Sequence, residues 1–232
     1  MDANDFKRAR KQAGLSQQKA AAELGVSQSY LSMLENGERP LSGELARRMV
    51  RVYKLSPASL PPSRQRWLPK KVRPGRLAAD LARLGYPGLA YLRKRRSHVN
   101  PGETLLTALS QESLEARLFE ALPWLVLQYW DLDRKWLVGQ AKLHDLQNRL
   151  GFVVALARKA GRRADLGNPQ REQALEELES TLKQSLLARE EALGKSKLSE
   201  AEQTWLTKHR PREAREWHLL TNWGPEALRY VA

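Results

Sequence analysis

Four consecutive side chains, Ser27, Gln28, Ser29 and Tyr30, stand at the start of a short helical pattern. The amide of a glutamine can form a pair of hydrogen bonds with N6 and N7 of adenine, whereas a serine hydroxyl discriminates poorly between bases. Gln28 could also be an ordinary solvated helix residue. On this chemistry, Gln28 is our first candidate for contact with a base edge, and Ser29 is a less selective one.

Catalytic and metal-binding patterns are not apparent elsewhere in the sequence. The chain has no cysteine, which excludes disulfides, thiol redox sensing and cysteine-based zinc sites. The four histidines lack metal-site spacing, and no HExxH, Walker A or GxSxG pattern occurs. We therefore predict no catalytic residue, no metal and no cofactor.

Two helical patterns must position the polar side chains. Ser16 is suited to cap the first helix, which ends at Gly25, because glycine tolerates the left-handed conformation of a tight turn. Ser27 is suited to cap the second helix, over residues 28–36. This order predicts a helix-turn-helix, whose second helix can enter a major groove.

The stretch LSQQKAAAELGVSQSYLSMLENGERPLS, residues 15–42, resembles the Cro/C1 type of helix-turn-helix, also called the Xre family. The segments Leu-Ser-Gln, Gly-Val-Ser and Leu-Glu-Asn-Gly carry the resemblance, which extends over residues 4–56. The resemblance implies a lambda-repressor-like helical bundle that binds double-stranded DNA, as a sequence-specific transcriptional regulator of bacterial or phage cytoplasm.

The resemblance also implies individual roles. Gln17 would hold a phosphate, and Asn36 would contact the DNA backbone. Met33 departs from the polar residue that some members of the family carry there, so it suits apolar contact with a thymine methyl group rather than a hydrogen bond. Arg10 and Glu35 would form an ion pair that orients the second helix, although both could simply be exposed. The residues that we predict to contact DNA in this domain are Gln17, Ser27, Gln28, Ser29, Tyr30, Ser32, Met33, Asn36 and Arg39.

The net charge of +14 is concentrated in one part of the chain. Residues 1–56 carry 10 Lys and Arg against 6 Asp and Glu, and residues 57–100 carry 11 against 1. Beyond residue 100 the two signs balance. A polyanionic partner explains this placement better than general solubility does.

The segment 57–76 is rich in proline and has no acidic residue, which predicts a linker or an extended arm. Such an arm could follow the DNA backbone or the minor groove. A soluble spacer is an equal alternative. The cations that would make the contacts are Arg64, Arg66, Lys70, Lys71 and Arg73.

The remainder, residues 77–232, shows helical rather than strand periodicity. The pattern predicts a long helix from Leu132 to Ala160, interrupted at Gly139 and Gly151. Tryptophan is frequent here, and WLVLQYW, residues 124–130, is our candidate for a homodimer interface, with a buried helix as the alternative. A dimer has a physical motive, because paired copies read a two-fold operator.

The predicted fold is all-α, with three parts: a helix-turn-helix domain (1–56), a basic proline-rich linker (57–76) and a helical dimerisation, partner or effector domain (77–232). The predicted function is repression at a palindromic operator. Two alternatives remain open for the helical domain, which could mask a protein toxin, as in an antitoxin, or hold a small-molecule effector.

An enzyme and a membrane protein are disfavoured. Ala160-Gly161 superficially matches the cleavage dipeptide of self-cleaving repressors, but the surrounding pattern is helix and loop rather than a β-rich domain. No apolar run reaches the ~18 residues that suggest a transmembrane helix, and no signal peptide is apparent. We therefore expect a cytoplasmic location.

Overall fold

The computed structural model describes residues 3–62, 67–92, 99–164, 167–195 and 197–230, which fall into two compact units. The first unit comprises residues 3–62 with 99–100, and the second comprises the other described residues. The all-α prediction is confirmed, because the regular secondary structure of the described residues is helical apart from two strands of two residues each. The domain boundaries suggested by the sequence stay a prediction.

The first unit is a small helical bundle. Its apolar core forms where Leu24, Leu31 and Met49 lose essentially all contact with solvent. The second of its helices packs against the third and the fourth, and the first packs against the third. Its elements are α1 (Ala3–Gln12), α2 (Gln17–Leu24), α3 (Gln28–Glu35), α4 (Gly43–Val52) and a 3-10 turn at Pro57–Ser59.

The second unit is a larger helical assembly with a short parallel strand pair. Its helices are α5 (Pro74–Leu84), α6 (Pro101–Leu109), α7 (Ala116–Gln128), α8 (Arg134–Leu143), α9 (Gln147–Arg163), α10 (Pro169–Lys183), α11 (Glu200–His209) and α12 (Arg212–Glu216). The strands are β1 (Glu191–Ala192) and β2 (Leu219–Leu220), and 3-10 turns occur at Pro87–Leu92 and Pro225–Ala227.

Helix α9 is the centre of the second unit. Its Phe152, Val153 and Leu156 side chains are fully buried, and it packs against α7, α8, α10 and α12. Asn148 is fully buried as well, and its amide exchanges two hydrogen bonds of 2.9 Å with the backbone of Leu187. These bonds fix the chain between α10 and β1.

The predicted long helix over residues 132–160 is wrong in one respect. Neither Gly139 nor Gly151 interrupts a helix, and the break lies between α8 and α9 instead. Asp145 adopts the left-handed conformation there, with φ of 57°, and the Leu146 amide donates back to the Ala141 carbonyl at 2.8 Å. A glycine inside a helix costs only ~0.5–1 kcal/mol, which packing offsets.

The candidate interface WLVLQYW is largely buried in the second unit itself. Trp124, Leu125 and Leu127 are each at most 4% exposed, because residues 124–128 form the end of α7, which is in contact with α9. The burial therefore favours the alternative, a buried helix, for residues 124–127, whereas Gln128 is exposed and Trp130 is half-buried. Among the described residues, no helix combines the length and the apolar character needed to cross a membrane.

Candidate nucleic-acid interface

Local capping chemistry sets the boundaries of α2 and α3. The Ser16 hydroxyl accepts from the Lys19 amide at 3.2 Å, and the Ser27 hydroxyl accepts from the Tyr30 amide at 3.1 Å. Between the helices, Gly25 adopts φ of 67° and ψ of 37°, where a side chain would be strained. The turn predicted from these residues is therefore formed as the sequence indicates.

The beginning of α3 faces solvent. Ser27, Gln28 and Ser29 are exposed, while Leu31 and Leu34 on the opposite face are buried in the core. The remaining predicted contact residues of this helix, Tyr30, Ser32 and Met33, are half-buried. The helix therefore offers polar side chains at its N-terminal end, which is the end that enters a major groove in helix-turn-helix proteins.

A chain of side-chain hydrogen bonds connects this exposed end to the core. Gln28 Nε2 donates to Gln17 Oε1 at 3.3 Å, and Gln17 Nε2 donates to Glu35 Oε2 at 3.2 Å. We call the set Arg10, Glu35, Gln17 and Gln28 the orienting network. Its two glutamines belong to different helices, α2 and α3, so the network fixes one helix relative to the other.

Arg10 and Glu35 form the buried end of the orienting network. Arg10 Nε donates to Glu35 Oε1 at 2.6 Å, and Arg10 Nη2 donates to Glu35 Oε2 at 3.0 Å. The two side chains are only 10% and 2% exposed. Arg10 Nη1 also donates to the Leu15 carbonyl at 2.9 Å. This two-point geometry joins α1 to the end of α3.

The electrostatics of this region follow from burial and pairing. Hydrogen bonding to Glu35 raises the pKa of Arg10 above its ordinary value, so the guanidinium remains charged. Burial, together with the negative charge of Glu35, raises the pKa of Tyr53 to about 12. The Tyr53 hydroxyl is buried without a hydrogen-bond partner. The ion pair thus lies in a poorly solvated part of the unit.

The loop after α3 carries the other predicted backbone contacts. Asn36 ends the helix and is exposed, and its amide donates to Glu38 Oε1 at 3.2 Å. Arg39 is exposed in the same loop. Sequence reasoning missed Arg48, whose Nη1 donates to the Leu24 carbonyl at 3.1 Å and so caps α2. Arg48 and Leu24 are 24 positions apart, and no sequence pattern predicts this contact.

The predicted arm residues do not all fall within the described part of the chain. Arg64 and Arg66 lie outside the described residues. Lys70 and Lys71 are exposed and belong to the second unit. Their segment is anchored there, because Gln111 Nε2 donates to the Lys70 carbonyl at 2.9 Å and the Val72 amide donates to Gln111 Oε1 at 3.1 Å.

Comparison with known protein families gives a match at the N-terminal end of the chain. Residues 6–60 match a family described as helix-turn-helix. No curated protein and no solved structure matches the chain. The matched residues extend from α1 through α4 to just beyond the 3-10 turn, so they contain the whole orienting network and the exposed end of α3.

Proposed function

We propose that the protein represses transcription by binding a palindromic operator as a dimer, through an N-terminal region that matches a helix-turn-helix family and resembles the Cro/C1 type, or Xre family, of DNA-binding transcription regulators. The observation that carries the proposal is the exposed polar end of α3, held on the bundle by the orienting network.

Base reading is assigned to the first residues of α3. Gln28 projects from the exposed end of that helix, and its amide can present one donor and one acceptor to adenine. Its hydrogen bond to Gln17 restricts the amide before DNA is bound. Ser29 and the half-buried residues of α3 supply shorter-range contacts, and Gln17, Asn36 and Arg39 contact phosphates.

We propose a dimer because one helix of this length contacts only a short stretch of DNA. Helix α3 has eight residues, so one copy reads only a few base pairs. Two copies related by a two-fold axis read two inverted half-sites and double the contact area. A dimer bound over a promoter needs no further activity to block transcription, which is why we favour repression.

The first experiment selects bound duplexes from a random DNA library with the full chain. We expect inverted half-sites whose centres are separated by about 10–10.5 base pairs or a multiple of that spacing. A reporter promoter that carries the selected site should lose expression when the protein is present. A single half-site bound by one copy would contradict the dimer, and increased expression would contradict repression.

The second experiment substitutes Gln28→Ala in the full chain. We expect relaxed preference at one position in each half-site and a loss of about 1–3 kcal/mol for the selected operator, because the paired hydrogen bonds to one base disappear. Gln12→Ala, an exposed glutamine at the end of α1, is the matched control and should leave binding unchanged. Equal weakening on every DNA sequence would instead make Gln28 a backbone contact.

The basic segment is tested by the double variant Lys70→Ala/Lys71→Ala. If both lysines contact phosphates, the slope of log K against log salt should become less negative by roughly 1.8, since each contact releases about 0.9 counterion. Base preference should not change. An unaltered slope would establish the segment as a spacer, which is the alternative that the sequence leaves open.

A further inference from the structure

A cavity of about 590 Å³ lies in the second unit, between α11, β2 and the chain after β1. This volume is in the range of pockets that hold small organic molecules. Most of its lining comes from residues 193–223, and Leu114 and Ala116, around the start of α7, complete the wall. The cavity has no part in the DNA contacts proposed above.

Apolar side chains dominate the lining of the cavity. Leu114, Leu193, Leu206 and Leu220 contribute aliphatic surface, and the indoles of Trp205 and Trp223 contribute aromatic surface. Pockets for small ligands combine a mostly apolar wall of this kind with a few polar groups. Here Asn222 and the Lys195–Glu202 pair supply the polar groups.

Trp205 is an unusual residue in this wall. It is 51% exposed, although an indole gains free energy when its apolar surface leaves water. One face of its ring stacks on His209, with ring centroids 4.8 Å apart and an angle of 18° between the planes. Because the ring also lines the cavity, a ligand bound there would cover apolar surface that is now exposed.

The charges that line the cavity compensate each other. Lys195 Nζ lies 2.7 Å from Glu202 Oε1, and the other Glu202 oxygen accepts from the Ser199 amide at 2.9 Å. These contacts, above all the one with Lys195, lower the pKa of Glu202 to about 2, so the carboxylate stays ionised and paired at neutral pH. The pair therefore offers no uncompensated charge to a charged ligand, whereas an uncharged ligand needs none.

We propose that this cavity binds an uncharged, largely apolar small molecule whose aromatic or aliphatic body packs against Trp205 and Trp223. The proposal does not depend on DNA binding, and its test contains no DNA. Its failure therefore leaves the proposed regulatory function untouched.

The test uses N-phenyl-1-naphthylamine, a neutral aromatic probe whose emission rises in apolar surroundings. The full chain should bind the probe saturably, with one site per chain. Ala201→Trp fills the cavity from α11, since Ala201 lines it. Gln203→Trp places the same side chain at an exposed position of the same helix and is the control. We expect the dissociation constant to rise at least about tenfold in Ala201→Trp and to change less than about twofold in Gln203→Trp.

A measurement on the unaltered chain guards against misfolding of the variants. Hydrogen exchange is followed with and without the probe, and protection is expected in peptides from 193–209 and 219–223. Absence of saturable binding by the unaltered chain would overturn the proposal. Protection confined to other peptides would do the same, and so would equal weakening by Ala201→Trp and Gln203→Trp when both retain their far-ultraviolet circular dichroism.

Discussion

Substitution of Arg10 by methionine is the most direct test of the buried ion pair. The change removes two hydrogen bonds to Glu35 and one to the Leu15 carbonyl, while methionine keeps most of the packing volume. The Glu35 carboxylate would then be buried at 2% exposure without its cation. Removing one partner of a buried pair typically costs about 3–5 kcal/mol, which is the loss we expect for the first unit.

The two units can be followed separately in the full chain. All seven tryptophans lie at or beyond Trp67, so tryptophan emission reports the second unit alone. Hydrogen exchange of peptides from α1 to α3 reports the first. A loss of 3–5 kcal/mol should accelerate exchange of the most protected amides there by roughly a hundredfold to several thousandfold, with unchanged tryptophan emission.

Arg8→Met is the matched control, because Arg8 lies on the same helix, is 70% exposed and pairs only loosely with Asp5 at 3.8 Å. It should change stability by less than about 0.5 kcal/mol. The double variant Arg10→Met/Glu35→Leu should recover most of the loss, since no uncompensated charge remains buried. If Arg10→Met and Arg8→Met had the same small effect, Glu35 would not depend on Arg10, and our reasoning would be refuted.

Two further predictions concern the second unit. A methyl group at Gly151 would overlap the Trp217 ring, whereas nothing lies within 4 Å of a methyl group at Gly139. Gly151→Ala should therefore destabilise the unit by about 1–3 kcal/mol, and Gly139→Ala should stabilise it by about 0.5–1 kcal/mol, as measured by urea unfolding with tryptophan emission. The same sign for both substitutions would contradict the packing. Because folding lowers the pKa of Glu202 to about 2, its stabilising contribution is present above the ordinary carboxylate pKa and should be lost as the pH falls from about 4.5 to 2. Over that pH window, hydrogen exchange of the α11 amides should accelerate more in the unaltered chain than in the Glu202→Gln variant. Equal acceleration in the two proteins would exclude Glu202 as the cause of the destabilisation.

Local chemistry explains why the first unit could be predicted in detail. A serine cap needs only its own helix, and Gly25 needs only its own backbone, so the sequence indicates both. The capping box of Ser199 and Glu202 at the start of α11 is local in the same sense, because each side chain accepts a hydrogen bond from the backbone amide of the other residue. The Arg10–Glu35 contact spans 25 positions, and family resemblance rather than spacing suggested it.

Tertiary packing determines the features that could not be predicted from the sequence, namely the position of a helix break and a cavity. Gly151 looks like a break in a helical pattern, yet it lies within α9, where the absence of a side chain makes room for Trp217. The break occurs instead at Asp145, which adopts the left-handed conformation. Aspartate tolerates this conformation, but that tolerance alone does not distinguish Asp145 from the other aspartates of the chain. The cavity lined by Trp205 could not be predicted from the sequence either, because residues from α11, β2 and the start of α7 meet there only after folding.

Both local capping and tertiary contacts contribute to the proposed DNA surface, and the orienting network supplies the tertiary contacts. The Ser27 cap determines where α3 begins, but its Gln28 side chain is positioned by a series of hydrogen bonds. Gln28 donates to Gln17, and Gln17 donates to Glu35. Glu35 in turn accepts from Arg10. The side chain proposed to read a base therefore depends on an arginine of α1 that is buried away from solvent. We therefore expect that a substitution such as Arg10→Met, which leaves every cap and every apolar position of α2 and α3 intact, also weakens DNA binding by releasing the Gln28 side chain that we propose to read a base.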